Sequence, residues 1–200
     1  MSFPANTHVL IPKASLKSGE GKKVLNLLND VSTHVSQSEP FTSCYYFAYD
    51  AANPDSVWGI EIYDNKDALE SKHAVSPPFL KFAGYLSSEQ SPMVEPLQKC
   101  NFQIVEGFLN KNGAPESADD YLVYTEYKAS GNPDELKKQL TVDQDADTSL
   151  ILHSLDDSLL FATVTRYANG RKQPEPIQVP GATATIQHLK YANVGFLARN

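Results

Sequence analysis

The sequence predicts an α+β chain in which two βαββαβ units pair inside one polypeptide, the second unit reduced. Three observations predict it. Aromatic and β-branched runs alternate with amphipathic helical stretches in the first half. The same order of strands recurs, shortened, in the second half. Two short segments also repeat in corresponding places. Lys13-Ala14-Ser15, followed by Lys22-Lys23 and Leu25, is echoed at an offset of 115 by Lys128-Ala129-Ser130, Lys137-Lys138 and Leu140. Gly107-Phe108-Leu109 is echoed at an offset of 88 by Gly195-Phe196-Leu197. The offset falls by 115 − 88 = 27 residues, and the loss falls in the helical segments of the second copy.

The elements follow in order. Residues 8–15 read as a strand that Pro12 pushes toward an edge or a bulge. Residues 18–37 read as a helix, with Val24, Leu27, Leu28, Val31 and Val35 at helical spacing. The aromatic run 41–50 and residues 56–63 form a hairpin about Ala51-Ala52-Asn53-Pro54-Asp55. Asp64 or Asn65 caps a helix over 66–74. Pro77-Pro78 interrupts it, and Phe79 to Tyr85 resume as a short helical piece. Residues 94–109 close the unit. The order is β-α-β-β-α-β, a ferredoxin-like unit spanning 1–109. Residues 110–118 read as a linker. The second unit, 119–200, carries strands at 121–129, 148–156, 158–167 and 182–197 and a helix at 133–141 that starts on Pro133. Residues 168–181, with Gly170, Pro174, Pro176 and Pro180, do not read as a helix.

Composition narrows the class. The chain has 200 residues, 41% hydrophobic and 20% charged, enough apolar material for a sizeable core. A net charge of −7 argues against a nucleic-acid partner, which needs clustered Lys and Arg. No run approaches the roughly 18–20 apolar residues that span a bilayer, so no membrane partner is expected. The first seven residues lack a basic, apolar leader, and Cys44 and Cys100 are too few for a secreted disulfide framework. A cytoplasmic protein is therefore expected, with each cysteine packed as a small apolar side chain or, alternatively, the two joined in a single disulfide.

Several segments of the first unit carry a family resemblance. Cys44-Tyr45-Tyr46-Phe47-Ala48-Tyr49-Asp50, the Asn53-Pro54-Asp55 turn and Ile60-Glu61-Ile62-Tyr63-Asp64 come first. Asp67-Ala68-Leu69-Glu70-Ser71-Lys72-His73 and Ser76-Pro77-Pro78-Phe79 follow. Over residues 8–105 this resembles the antibiotic biosynthesis monooxygenase (ABM) family; the second unit resembles it through element order alone. The resemblance implies two ferredoxin-like repeats forming an intramolecular version of the dimeric α+β barrel, with the C-terminal repeat degenerate. It also implies a monooxygenase without metal, flavin or other cofactor. Its substrate would be a small aromatic, quinol or polyketide-like compound whose deprotonated form reduces dioxygen directly. A chain holding both halves is expected to be a monomer or a weak homodimer. Many members have Glu-x-Trp on the third strand; here Tyr63 stands in place of the tryptophan.

His73 is the candidate proton acceptor, at the family's recurrent helix histidine; alternatively it pairs with a helix C-terminus. Tyr63 is the second catalytic candidate, as a hydrogen-bond donor to a phenol or quinone oxygen, or is strand-end packing. Glu61 shares its face and either orients a donor or forms a solvated cross-strand pair. Trp58, Tyr45, Phe47 and Tyr49 either line an aromatic pocket or fill the core. Trp58 has the opposite strand parity to Tyr63 and should face the other side of the sheet. Asn6, Trp58 and His73 are residue types of haem-degrading relatives, but their spacing is loose. His8, His34, His153 and His188 show no paired metal-ligand spacing, so no metal is expected. The competing readings are a non-catalytic ligand-binding or stress-associated barrel, and a lyase or isomerase on the same fold.

Overall fold

Every strand among the described residues pairs antiparallel with two neighbours, so the sheet they form has no free edge. The computed structural model describes residues 3–111, 113–168 and 177–199. The first unit contains β1 (His8–Ser15), α1 (Gly21–Ser38), β2 (Thr42–Asp50), β3 (Asn53–Tyr63), α2 (Pro77–Leu86) and β4 (Gln98–Phe108). The second contains β5 (Tyr121–Ala129), α3 (Pro133–Gln139), β6 (Thr148–Ser154), β7 (Leu160–Tyr167) and β8 (Ala182–Phe196). The closed order is β1-β3-β2-β8-β5-β7-β6-β4. The first unit is therefore ordered β4-β1-β3-β2 and the second β8-β5-β7-β6, the same arrangement twice. This is a closed α+β barrel built from two like repeats in one chain.

The repeats join at two seams, β2 with β8 and β4 with β6, and the echoed glycines sit on them. Gly195 lies opposite Tyr46 with φ +96°, and a Cβ there would stand 1.7 Å from the Tyr45 carbonyl oxygen. Gly107 lies opposite Leu150 with φ +139°, and its Cβ would stand 2.2 Å from the Ser149 oxygen. Only glycine fits such a backbone and such an approach. The repeated tripeptide thus marks where one copy docks on the other.

Strand alternation separates two faces. Val9, Ile11, Tyr46, Trp58, Ile60, Phe102, Leu122, Tyr124, Leu150 and Val164 fill the barrel interior. Cys44 is buried with them and Cys100 packs against them, both as free thiols. The outer face of the first unit carries α1 and α2 on Ala14, Tyr45, Phe47 and Val57. Asp55, on β3, accepts the N–H groups of Gly19 and Gly21 at 2.9 and 2.8 Å and so fixes the start of α1. These bonds hold its carboxyl below the usual range.

Three local expectations are corrected. Pro12 lies on no edge, because β1 is flanked by β3 and β4. Its missing N–H is accommodated where the β1–β3 pairing skips residues 11 and 12, and its ring lies against Gly59. The helix over 66–74 is a π-helical turn, Ala68–Lys72, running into a 3-10 turn, His73–Val75; Asn65 accepts the Ala68 N–H at 2.9 Å at its start. Pro77-Pro78 does not interrupt a helix but opens α2, where the first N–H groups need no partner. The segment 168–181 lies largely outside the described residues.

One interior group was not foreseen. Arg166 and Asp120 form a fully buried ion pair, Nε to Oδ2 2.7 Å. Arg166 also donates to the carbonyls of Pro115 (2.7 Å) and Ala114 (3.3 Å), tying the linker across one end of the barrel.

Candidate functional site

The outer face of the first four strands does not close tightly against its helices. Between them lies a cavity of about 740 Å³, a size typical of small-molecule sites. Val24 and Leu28 of α1, Phe79, Phe82 and Leu86 of α2, and Met93 and Leu97 before β4 form its apolar walls. The floor is strand: Leu10, Pro12, Tyr45, Phe47, Gly59 and Glu61. Lys99 and Asn101 of β4 and Lys66, Leu69 and Glu70 at the π-helical turn also border it. Such turns inside helical segments often accompany functional sites.

Glu61 is the acid that reaches this floor. It is 4% exposed, so it is not the solvated cross-strand residue that alternation alone allowed. Burial raises its pKa above the ordinary Glu value, opposed by nearby His73 and by a hydrogen bond from Tyr63. Tyr63 donates to Glu61 Oε2 at 2.7 Å. The Tyr63 hydroxyl is itself pushed well up by burial and by Glu61, so it stays a donor.

His73 lies behind the wall. It is fully buried, with Nδ1 2.9 Å from Glu39 Oε2 and Nε2 without a partner among the described residues. Its ring packs against Tyr45 (5.3 Å), Tyr63 (5.4 Å) and Phe79 (4.8 Å between centroids). Glu39, just past α1, is 3% exposed and also 3.6 Å from His34 Nε2. His8, the register partner of Tyr63, is buried too, and desolvation lowers its pKa.

Of the residues singled out from sequence, Tyr45, Phe47 and Glu61 border the cavity. Tyr63 and His73 stand one side chain behind it. Trp58 is not among them. As its parity requires, it lies on the interior face, its Nε1 donating to Ser56 Oγ at 3.0 Å. There it borders a separate hollow of about 200 Å³ with Lys13, Tyr124 and Glu126. Trp58 and His73 therefore do not converge on one ligand. Glu39 was missed because nothing in its local sequence marks it; only the return of the chain beside the π-helical turn gives it a partner. Among the described residues no group of three His, Cys, Asp or Glu side chains has a metal-binding arrangement. No helix among them is long and apolar enough to cross a membrane.

The fold and the site define a duplicated α+β barrel with a ligand-sized cavity in one repeat. Solved structures share that fold along the whole chain. A protein of Fusobacterium nucleatum, provisionally described as a monooxygenase, matches with a TM-score of 0.74 at 9% identity, over 98% of this chain and 97% of its own. One of Lactobacillus acidophilus with the same provisional description gives 0.69 at 10% identity, over 96% and 97%. An anthrone oxidase-like protein gives 0.57 at 8% identity, over 100% and 97%. At these identities the likeness is one of fold. No protein-family model matches the sequence, and no curated protein does.

Proposed function

We propose that the cavity of the N-terminal repeat is the active site of an ABM-like, cofactor-independent monooxygenase acting on a small aromatic, quinol or polyketide-like compound. The observation that carries this reading is Glu61, a carboxyl with a raised pKa set in the floor of an otherwise mainly apolar cavity. Such a group takes a weakly acidic C–H or O–H proton better than an exposed carboxylate does. With an anthrone, Glu61 removes a methylene proton and the carbanion passes an electron to dioxygen. The carbon–oxygen bond then forms. Loss of the second hydrogen with one oxygen atom leaves a carbonyl and water. Tyr63 holds Glu61, and apolar walls keep bulk water from the anion. The C-terminal repeat acts as the other half of the barrel, and the chain works as a monomer or a weak homodimer.

The test is oxygen uptake with a panel of anthrones and hydroquinones, with ¹⁸O₂ label followed into the product. Label in the new carbonyl and loss of uptake in Glu61→Gln are expected. Binding of the panel without any uptake would replace this reading by a ligand-binding barrel.

A further inference from the structure

Two buried polar atoms beside Glu61 have no hydrogen-bond partner among the described residues, Tyr45 Oη and His73 Nε2. A buried hydroxyl left unpaired costs free energy, so its persistence calls for a partner from outside the chain, a water or a ligand. Tyr45 is fully buried by protein yet lines the cavity. It is also the direct cross-strand partner of Glu61, on the same face of the sheet. Glu61 commits Oε2 to Tyr63.

We propose that the Tyr45 hydroxyl and the Glu61 carboxyl form a donor–acceptor pair for one ionisable oxygen of an uncharged aromatic ligand, an aryl hydroxyl or the enol of a ring ketone. This rests on the cavity being the active site. The ligand O–H gives its proton to Glu61. Its oxygen keeps the electron pair and accepts the Tyr45 O–H. The net charge of the site does not change, which suits so buried a place. Burial, with Glu61 and Glu39 nearby, pushes the Tyr45 hydroxyl well above its usual pKa, so it remains a donor. The groups facing this position are Glu61 and Tyr63 on β3, His73 with Glu39 behind it, and Lys99 on β4. Two buried acids make the site unfavourable for a ligand that is already a carboxylate. The apolar part of the ligand lies toward Leu28, Leu86 and Met93.

The probes are 2-hydroxyanthraquinone, whose visible absorption moves when it ionises, anthraquinone, and anthraquinone-2-carboxylate. The intact protein should bind the hydroxy compound at least about tenfold more tightly than the other two. Tyr45→Phe keeps the ring contacts and removes only the unpaired hydroxyl. It should weaken the hydroxy compound by about tenfold to a hundredfold, the worth of a hydrogen bond to a charged group. Anthraquinone affinity should stay unchanged and the unfolding midpoint should not fall. Equal binding of the hydroxy and parent compounds by the intact protein, weak or strong, overturns the proposal. So does a Tyr45→Phe variant that binds all three as the intact protein does. Loss of stability together with all three affinities would also overturn it, making the hydroxyl structural. Oxygen uptake separates the two ideas. Tyr45-dependent probe binding without uptake sinks the oxygenase reading alone; uptake undiminished in Tyr45→Phe sinks the Tyr45 assignment alone.

Discussion

The two outer faces of the barrel rest on the same strand order and differ in almost everything laid over it. Above β4-β1-β3-β2 sit two helices of 18 and 10 residues and a cavity of about 740 Å³. Above β8-β5-β7-β6 the described residues place one helix of 7 residues and a hollow of about 80 Å³. The strand residues diverge in step. Leu10 pairs with Glu61, and its counterpart by the Lys13–Lys128 echo, Thr125, pairs with Thr163. His8 pairs with Tyr63, while Val123 pairs with Thr165. The frame, fixed by ladders and seam glycines, is common to both copies. The acid, its tyrosine and the roofed cavity belong to one.

Exchanging the chemistry of equivalent positions should separate the two faces most strongly. Glu61→Gln keeps shape and removes the proposed proton acceptor, so turnover should fall by about 10²–10⁴-fold. Thr163→Val, at the matching place, should leave turnover within twofold or so. Comparable losses in both variants would mean that the second face takes part in the chemistry.

The next largest effect concerns what the copies share. Gly195→Ala drives a Cβ into the Tyr45 carbonyl at a positive φ, and Gly107→Ala does the same at Ser149. Each should cost about 3–5 kcal/mol by urea denaturation. If one seam tolerates alanine, the two junctions are not equivalent, and the echoed Gly-Phe-Leu is no mark of a shared frame.

That echo shows how far the sequence is legible. Strands were readable because aromatic and β-branched runs alternate, and parity correctly sent Trp58 away from Tyr63. Parity gave no depth, however. It placed Glu61 and Tyr63 on one face without revealing that Glu61 is roofed over, and it says nothing of His73, which sits outside the strands. Glu39 becomes a partner of His73 only through a separation of 34 residues. Arg166 carried a usable signal. It has the parity of Ala162 and Val164 on β7, so an arginine there had to be buried and paired.

A smaller effect follows from the raised pKa of Glu61. Folding favours its protonated form. The stability it contributes is full below the ordinary Glu value of 4.5 and is lost as pH rises through the higher folded-state value. Glu61→Gln should therefore gain on the intact protein in melting temperature as pH increases across that window. Thr163→Val should run parallel to it at every pH. A pH-independent gap between Glu61→Gln and the intact protein would mean that the carboxyl titrates as it does in the unfolded chain.

The smallest effect tests whether the second repeat braces the site as well as closing the barrel. α1 has no basic residue in its last turn. Arg199, just beyond β8, supplies one from the other repeat. Its guanidinium donates to the carbonyls of Val35, Ser36, Glu39 and Thr42 at 2.6 to 2.9 Å. Val35 and Ser36 lie in the last turn of α1 and Glu39 and Thr42 follow it, so the positive charge sits at the helix C-terminus, where it is favourable. Glu39, which anchors His73, is among the residues so held. Because Arg199 is largely exposed, solvent weakens the contact, and Arg199→Ala should cost about 1–2 kcal/mol. For a chain of this size that is a fall of roughly 2–8 °C in melting temperature. If the brace reaches the site, the affinity for 2-hydroxyanthraquinone should fall severalfold as well, and Arg199→Lys, which restores charge without the planar fork, should recover only part of both. A loss of stability with affinity unchanged would leave the C-terminal repeat as frame alone, and the asymmetry between the two faces would be complete.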